Sequence, residues 1–282
     1  MRVLVLIPGG MATQLQAIPA VAAVAARLQA QVQVACPAGV GAAWKLVPAV
    51  EKVLGYSFDG AVSLADWANL LGGVREPDFQ VCLNLGSGWP IDLMLSLGHI
   101  PTRIATGGFS ATTTVSRQAG WPNQTLEAWL RPIGVPLDAA SYRLSLPKPT
   151  LEEAVAAAPA GDGPLLLLAP DPEPTAAEPD WPAQRWQELP QAIRARLPQL
   201  RVLQARRDGS PLERAAQVAA ADVVLSSDPI TTELALLSGT PLVALGRSGD
   251  SLPHRPGVQG LGAATSLQDL DVADVLQALG LG

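Results

Sequence analysis

The chain is poor in the residues that hold metals and close disulfides. Its 282 residues include two histidines and two cysteines. His99 and His254 have no Cys or His partner at ligand spacing, so no metal centre is expected. Cys36 and Cys82 each lie inside an apolar run, VQVACP and FQVCLNL, which fits reduced, buried thiols better than a disulfide framework. Charge is scarce too. Only 16% of residues are charged, the formal net charge is −6, and there is no Lys/Arg cluster of the kind that tracks a phosphate backbone, so no nucleic-acid partner is expected. No uninterrupted apolar run reaches the roughly 18 residues of a membrane-spanning helix. The Ala-rich stretch from Ala17 to Ala30 is interrupted by Pro19, Arg27 and Gln29 and reads as a packed helix. The opening MRVLVLIPGG is too short for a signal peptide and reads as a first buried strand, so a cytoplasmic location is expected.

Apolar side chains are plentiful, at 48% of residues with a mean hydropathy of +0.24, enough to bury the cores of two domains. Short apolar runs alternate with longer Ala/Leu-rich stretches, the pattern of βαβ units around a parallel sheet. Strands are expected at Val3 to Ile7, Val32 to Ala35, Gln80 to Asn84 and Arg103 to Thr106, then at Leu165 to Ala169, Leu200 to Gln204, Val223 to Ser226 and Pro241 to Leu245. In the second half, helices are expected near Trp186 to Arg196, Pro211 to Ala220 and Thr231 to Leu237. Ser266 to Leu281 has apolar residues at helical spacing and is expected to pack back on one of the domains. The Pro- and Gly-bracketed segment 147–164 reads as a linker, giving domains at 1–150 and 151–282. Two doubly wound α/β domains facing a cleft would bind a ligand at the carboxyl ends of their strands. The first turn, Pro8-Gly9-Gly10-Met11-Ala12-Thr13, lacks the third glycine of a dinucleotide fingerprint and the lysine of a P-loop, which argues against both chemistries.

Six segments in order carry a resemblance. They are PGGMATQLQAIPAVAAVAARL, SLGHIPTRIATGG, TLEAWLRPIGVPLDAASYRLSLP, DWPAQRWQELPQAI, SSDPITTELALLSG and TPLVALG. Together the chain resembles the glycosyltransferase family 9 enzymes, the ADP-heptose:lipopolysaccharide heptosyltransferases. The resemblance implies the GT-B architecture of two Rossmann-like domains. It also implies metal-free, inverting transfer of a sugar from a nucleotide diphosphate donor, with no cofactor, to a lipopolysaccharide or related glycan at the inner face of the plasma membrane. The donor would lie mainly on the C-terminal domain and the acceptor on the N-terminal one. A rival reading is a catalytically silent homologue that keeps the cleft for a nucleotide sugar or a protein.

The stretch SSDPITTELALLSG begins a helix with Asp228 as cap and Pro229 as first residue. The N–H groups that follow, with the helix dipole, would hold a diphosphate, and Thr231 and Thr232 would add hydroxyls. A plain helix start explains the same residues. Against the family pattern, Ala12-Thr13 stands where Gly-Asp is expected, so Thr13 occupies the position of the proposed base and a hydroxyl cannot take its proton near neutral pH. Pro229 and Ile230 replace a small residue and a glycine, Glu233 replaces a histidine, and Pro179-Asp180 replaces the lysine before Trp-Pro. Arg247, Arg206 and Arg207 follow strands and are candidates for the missing positive charge, with solvated surface as the alternative for the last two. Asp92, Asp59 and Asp66 are candidate replacement bases, although Asp92 also suits a helix cap. Gly10 would lie at the ligand side of the first loop. Trp181 either stacks on a base or anchors its helix together with Trp186. Gly86, Gly88 and Trp89 form a turn or a sugar platform, and Asn84 ends a strand where an acceptor would approach.

Overall fold

The computed structural model describes residues 1–58, 64–75 and 78–282, with the backbone alone for residues 64 and 66. The candidate bases Asp59 and Asp66 therefore lie outside the described side chains. The chain divides into two compact units, Met1–Tyr142 and Arg143–Gly282.

In the first unit the elements are β1 (Arg2–Leu6), α1 (Met11–Leu28), β2 (Gln31–Cys36), β3 (Val50–Gly55), α2 (Leu64–Arg75), β4 (Val81–Asn84), α3 (Trp89–Leu97), β5 (Thr102–Ala105), β6 (Thr113–Thr114), α4 (Pro122–Thr125) and α5 (Glu127–Leu130). The strands pair in the order β3-β2-β1-β4-β5-β6, and every pair is parallel. Strands buried on both faces can be continuously apolar, which is why RVLVL and VCLN read as strands without alternation. One face carries α2 and α3, whose Leu70, Val74, Ile91, Met94 and Leu95 meet Leu4, Leu6 and Cys82. The other carries α1, α4 and α5. Each Leu fully withdrawn from water contributes roughly 2 kcal/mol, so this two-faced burial is the main stabilising term.

The second unit comprises α6 (Lys148–Ala156), β7 (Leu165–Ala169), α7 (Ala183–Arg194), β8 (Arg201–Gln204), α8 (Pro211–Ala219), β9 (Val223–Ser226), α9 (Pro229–Ser238), β10 (Leu242–Leu245), β11 (Val258–Leu261) and α10 (Val272–Ala278). Its parallel sheet runs β11-β10-β9-β7-β8. Helices α6, α8 and α9 pack together, as do α7 and α10. Leu166, Leu168, Leu225, Val243 and Leu245, two residues apart along their strands, point to the α7/α10 side and bury Trp181, Trp186, Val275 and Leu276. The segment expected as linker thus belongs to the second unit, with α6 packed on α8, and the terminal segment joins the same unit's core through Leu267, Val275 and Leu276.

Chain order and strand order disagree at one place in each sheet. In the first unit the chain reverses between β1 and β4, in the second between β7 and β9. Helices leaving such neighbours go to opposite faces, so a crevice opens beyond the carboxyl ends. Cys36 and Cys82 are buried and free, and burial raises the Cys36 thiol to about 11. Among the described residues no group of three or more His, Cys, Asp or Glu is placed to hold a metal, and no helix is long and apolar enough to cross a membrane.

Candidate functional site

The mouth of α9 is built differently from the sequence expectation. Asp228 is its cap and is 4% exposed. Its carboxylate accepts the N–H groups of Ile230 (3.1 Å) and Thr231 (3.0 Å), the Thr231 hydroxyl (2.5 Å) and the Arg214 guanidinium (2.9 Å). The Thr232 N–H bonds back to the Asp228 carbonyl at 2.9 Å, and Pro229 has none to offer. All donors of the first turn are therefore engaged, and the protein's own carboxylate sits where an anion would bind. Thr231 and Thr232 are buried, with the Thr232 hydroxyl donating to Ser226 Oγ at 3.1 Å. The expectation that Ile230, Thr231 and Thr232 grip a diphosphate is corrected on this ground. Glu233 is buried in the next turn and does not line the crevice.

The crevice itself lies at the β7/β9 switch point and encloses about 520 Å³. Every strand but β8 sends a loop to it. Asp171 follows β7, Ser227 and Pro229 follow β9, Gly246, Arg247 and Ser248 follow β10, and Gly262 to Thr265 follow β11. Asp180 closes the wall in a fixed position. Its carboxylate accepts from the Ser227 hydroxyl (2.5 Å) and the Trp186 indole (3.3 Å), while Ser227 Oγ accepts the Asp171 N–H (2.9 Å). Burial raises the Asp180 carboxyl above the ordinary carboxylate value, and hydrogen bonds from Ser227, the Trp181 backbone and Trp186 oppose that shift. The charged residues among those that line the crevice are three acids, Asp171, Glu178 and Asp180, and one arginine, Arg247.

Trp181 is not part of this wall. It is 1% exposed, donates its indole N–H to the Leu270 carbonyl (2.8 Å) and meets Trp186 edge-on at 5.2 Å. A ring so enclosed cannot stack on a base, so the anchoring alternative holds and the ligand role is corrected. Arg206 and Arg207 are exposed beyond β8 and do not reach the crevice. A further cavity, of about 430 Å³, opens at the amino ends of β7, β9 and β10. It is lined by Leu166, Ile193, Val243 and Leu279, and its one acid, Asp222, accepts the Leu165 N–H at 2.7 Å, so it offers little to reaction chemistry.

In the first unit a crevice of about 280 Å³ lies at the β1/β4 switch point, lined by Ile7, Pro8, Thr13, Gln16, Leu85, Arg117, Gln118 and Thr125 among others. Thr13 faces it from the first turn of α1, folded over Gly9, whose φ of 95° suits glycine and whose missing Cβ would lie 2.9 Å from the Thr13 hydroxyl. Gly10 caps α1 with open space before it and no side-chain partner for the turn. Beneath the loop, the buried amide of Gln14 donates to the carbonyls of Ile7 (3.1 Å), Pro8 (3.5 Å) and Gly9 (3.3 Å) and accepts the Trp44 indole at 3.1 Å. Asp92 plays another part. It sits in the first turn of α3, whose cap is Gly88, and is 8% exposed. It accepts the Ser110 hydroxyl at 2.5 Å and lies against Gly108, tying the loop after β5 to α3. It is neither the helix cap nor a base at this crevice, and both readings are corrected. Trp89 is exposed at the start of α3, and Asn84 is buried with its side-chain oxygen on the Gly86 N–H (2.9 Å).

Sequence reading missed Arg214, whose helix α8 gives no hint that it crosses to Asp228, and the joint placement of Asp171, Ser227 and Asp180, which requires the strand order. Comparison with solved structures then defines the class of fold. The chain matches a glycosyl transferase of family 9 from Veillonella parvula over 99% of its length and 96% of that protein's, at 11% identity and a TM-score of 0.79. Escherichia coli ADP-heptose lipopolysaccharide heptosyltransferase II (15% identity, TM-score 0.74, 99% and 98% covered) and E. coli heptosyltransferase WaaC solved with ADP (14%, 0.72, 99% and 99%) align as fully. The chain therefore has the GT-B fold of these glycosyltransferases. No protein-family model matches the sequence, and no curated protein matches it either.

Proposed function

We propose that the protein is a glycosyltransferase of the lipopolysaccharide heptosyltransferase type, which moves a sugar from a nucleotide-linked donor to a cell-envelope glycan. The observation that carries this reading is the crevice at the β7/β9 switch point, in a chain whose whole length follows heptosyltransferase structures. The second unit would hold the donor there. Arg247 is placed to meet phosphate, and Asp171 or Asp180 to accept ribose hydroxyls. The acceptor would enter the first unit's crevice, beside Thr13, Gln118 and Arg117. Attack of an acceptor hydroxyl on the anomeric carbon, opposite the departing phosphate, inverts that carbon and needs neither metal nor cofactor. Reaction at a glycolipid acceptor would bring the protein to the inner membrane face without a spanning helix.

A second reading, a catalytically silent binder, is favoured by one feature. Among the described residues no carboxylate lines the Thr13 crevice, and a threonine hydroxyl cannot serve as base near neutral pH. Calorimetric titration with nucleotides and their sugar derivatives tests the shared part. Micromolar binding that falls at least tenfold in Arg247→Ala supports the donor site, and no binding of any nucleotide refutes it. Release of nucleotide from a bound sugar donor, in the presence of lipopolysaccharide core oligosaccharide, separates the two readings. Thr13→Asp raises that rate if Thr13 lies at the reacting centre.

A further inference from the structure

Cationic means of holding an anion are few at the crevice of the second unit. The two N–H groups of the α9 mouth that could turn to a phosphate are taken by Asp228, and the same carboxylate neutralises Arg214, whose side chain is 14% exposed. Pro229, which does line the crevice, contributes no donor. What remains among the lining residues is a single cation, Arg247, set against Asp171, Glu178 and Asp180. Asp180 cannot swing away, because Ser227 and Trp186 both bond to it and Ser227 is itself held by the Asp171 N–H. Two linked phosphates would bring a second negative charge to this wall, where the lining residues offer no second cation and the carboxylates repel it. One phosphate is matched by one arginine. The surplus carboxylates are acceptors, suited to the hydroxyl donors of a ribose or of a transferred sugar.

Resting on the glycosyltransferase reading, we infer that the donor crevice takes a nucleoside monophosphate-linked sugar, with Arg247 on the single phosphate and Asp180 as the residue that disfavours a diphosphate. The transfer would break the bond between the anomeric carbon and the phosphate oxygen, and its electron pair would leave with the nucleoside monophosphate. The acceptor oxygen forms the new bond and its proton passes to solvent water. The reaction that supplies such a donor is the coupling of a free sugar to a nucleoside triphosphate with loss of diphosphate.

The test is calorimetric titration of the full chain with AMP, CMP, UMP and GMP against ADP, CDP, UDP and GDP. For the one base that binds, the monophosphate is expected to bind at least tenfold more tightly than the diphosphate. Asp180→Asn keeps an oxygen for Ser227 and is expected to close that gap by strengthening the diphosphate about tenfold. Asp171→Asn, which leaves the Ser227 contact to the main chain intact, is expected to act in the same direction. Diphosphate binding equal to or tighter than monophosphate binding in the unmodified chain overturns this inference and leaves the glycosyltransferase reading standing. Failure of every nucleotide to bind overturns both.

Discussion

Replacing Asp228 with alanine separates a structural carboxylate from a ligand-binding one. The structure gives Asp228 two tasks, and each has a cost. Removing a cap that satisfies two N–H groups of α9 costs about 1 kcal/mol. Removing the partner of Arg214, held at 2.9 Å between side chains 14% and 6% exposed, leaves a mostly buried guanidinium without its counter-ion, for about another 2 kcal/mol, below the range for fully buried pairs. The sum, about 3 kcal/mol, is a large part of the ~5–15 kcal/mol that holds a domain together. Asp228→Asn, an equally good cap, would lose only the charged contact and cost about 2 kcal/mol. Urea unfolding followed by circular dichroism measures both, and an Arg214→Ala, Asp228→Ala cycle isolates the pair. Should Asp228→Ala lose under about 0.5 kcal/mol, yet nucleotide affinity collapse, the carboxylate faces a ligand and the account of the α9 mouth fails.

Two further outcomes follow from the same unit. Trp181→Ala is expected to cost about 3–5 kcal/mol by emptying the space between α7 and α10, measured by denaturant unfolding, whereas a variant of unchanged stability that no longer binds nucleotide would restore the stacking role. Because burial raises the Asp180 carboxyl, its contribution to stability is fully present below the ordinary carboxylate value of 3.8 and is lost as pH rises through the raised folded value. Melting curves across that window should therefore show the unmodified chain gaining on Asp180→Asn as pH falls, and parallel curves would show that Asp180 is not buried as described.

The eight strands expected from the sequence all exist, with ends shifted by one residue at most; seven are interior strands of their sheets, and β8, an edge, carries the apolar pair Val202-Leu203. The three that sequence reading missed, β3, β6 and β11, are all edges of their sheets. VEKVLG is exposed along most of its length, TT is two residues long, and VQGL carries a glycine and a glutamine, so none has the run that marks a buried strand. Helix starts with chemical punctuation were also legible, Asp228-Pro229 among them. What could not be read was where that cap's charge goes, since Arg214 is fourteen residues earlier on another helix and meets it only when α8 and α9 pack. Asp92 was likewise visible as an acid among apolar neighbours, and its contact with the loop after β5 depends on β4 and β5 lying side by side. Side-chain roles at a crevice follow strand order, and a pattern of residues contains strand order only indirectly.

Gln14 has a bearing on affinity that reaches past its own contacts. One amide spans three successive carbonyls of the turn after β1 and is itself secured by Trp44, so the turn is set in shape before anything enters beside Thr13. A loop that is already ordered surrenders little freedom when a guest arrives, and the roughly 0.5–1.5 kcal/mol that each immobilised side chain would otherwise subtract from association is spared. Weak individual contacts with a guest can then add up to useful occupancy, and a guest of the wrong outline meets a surface that does not yield to it.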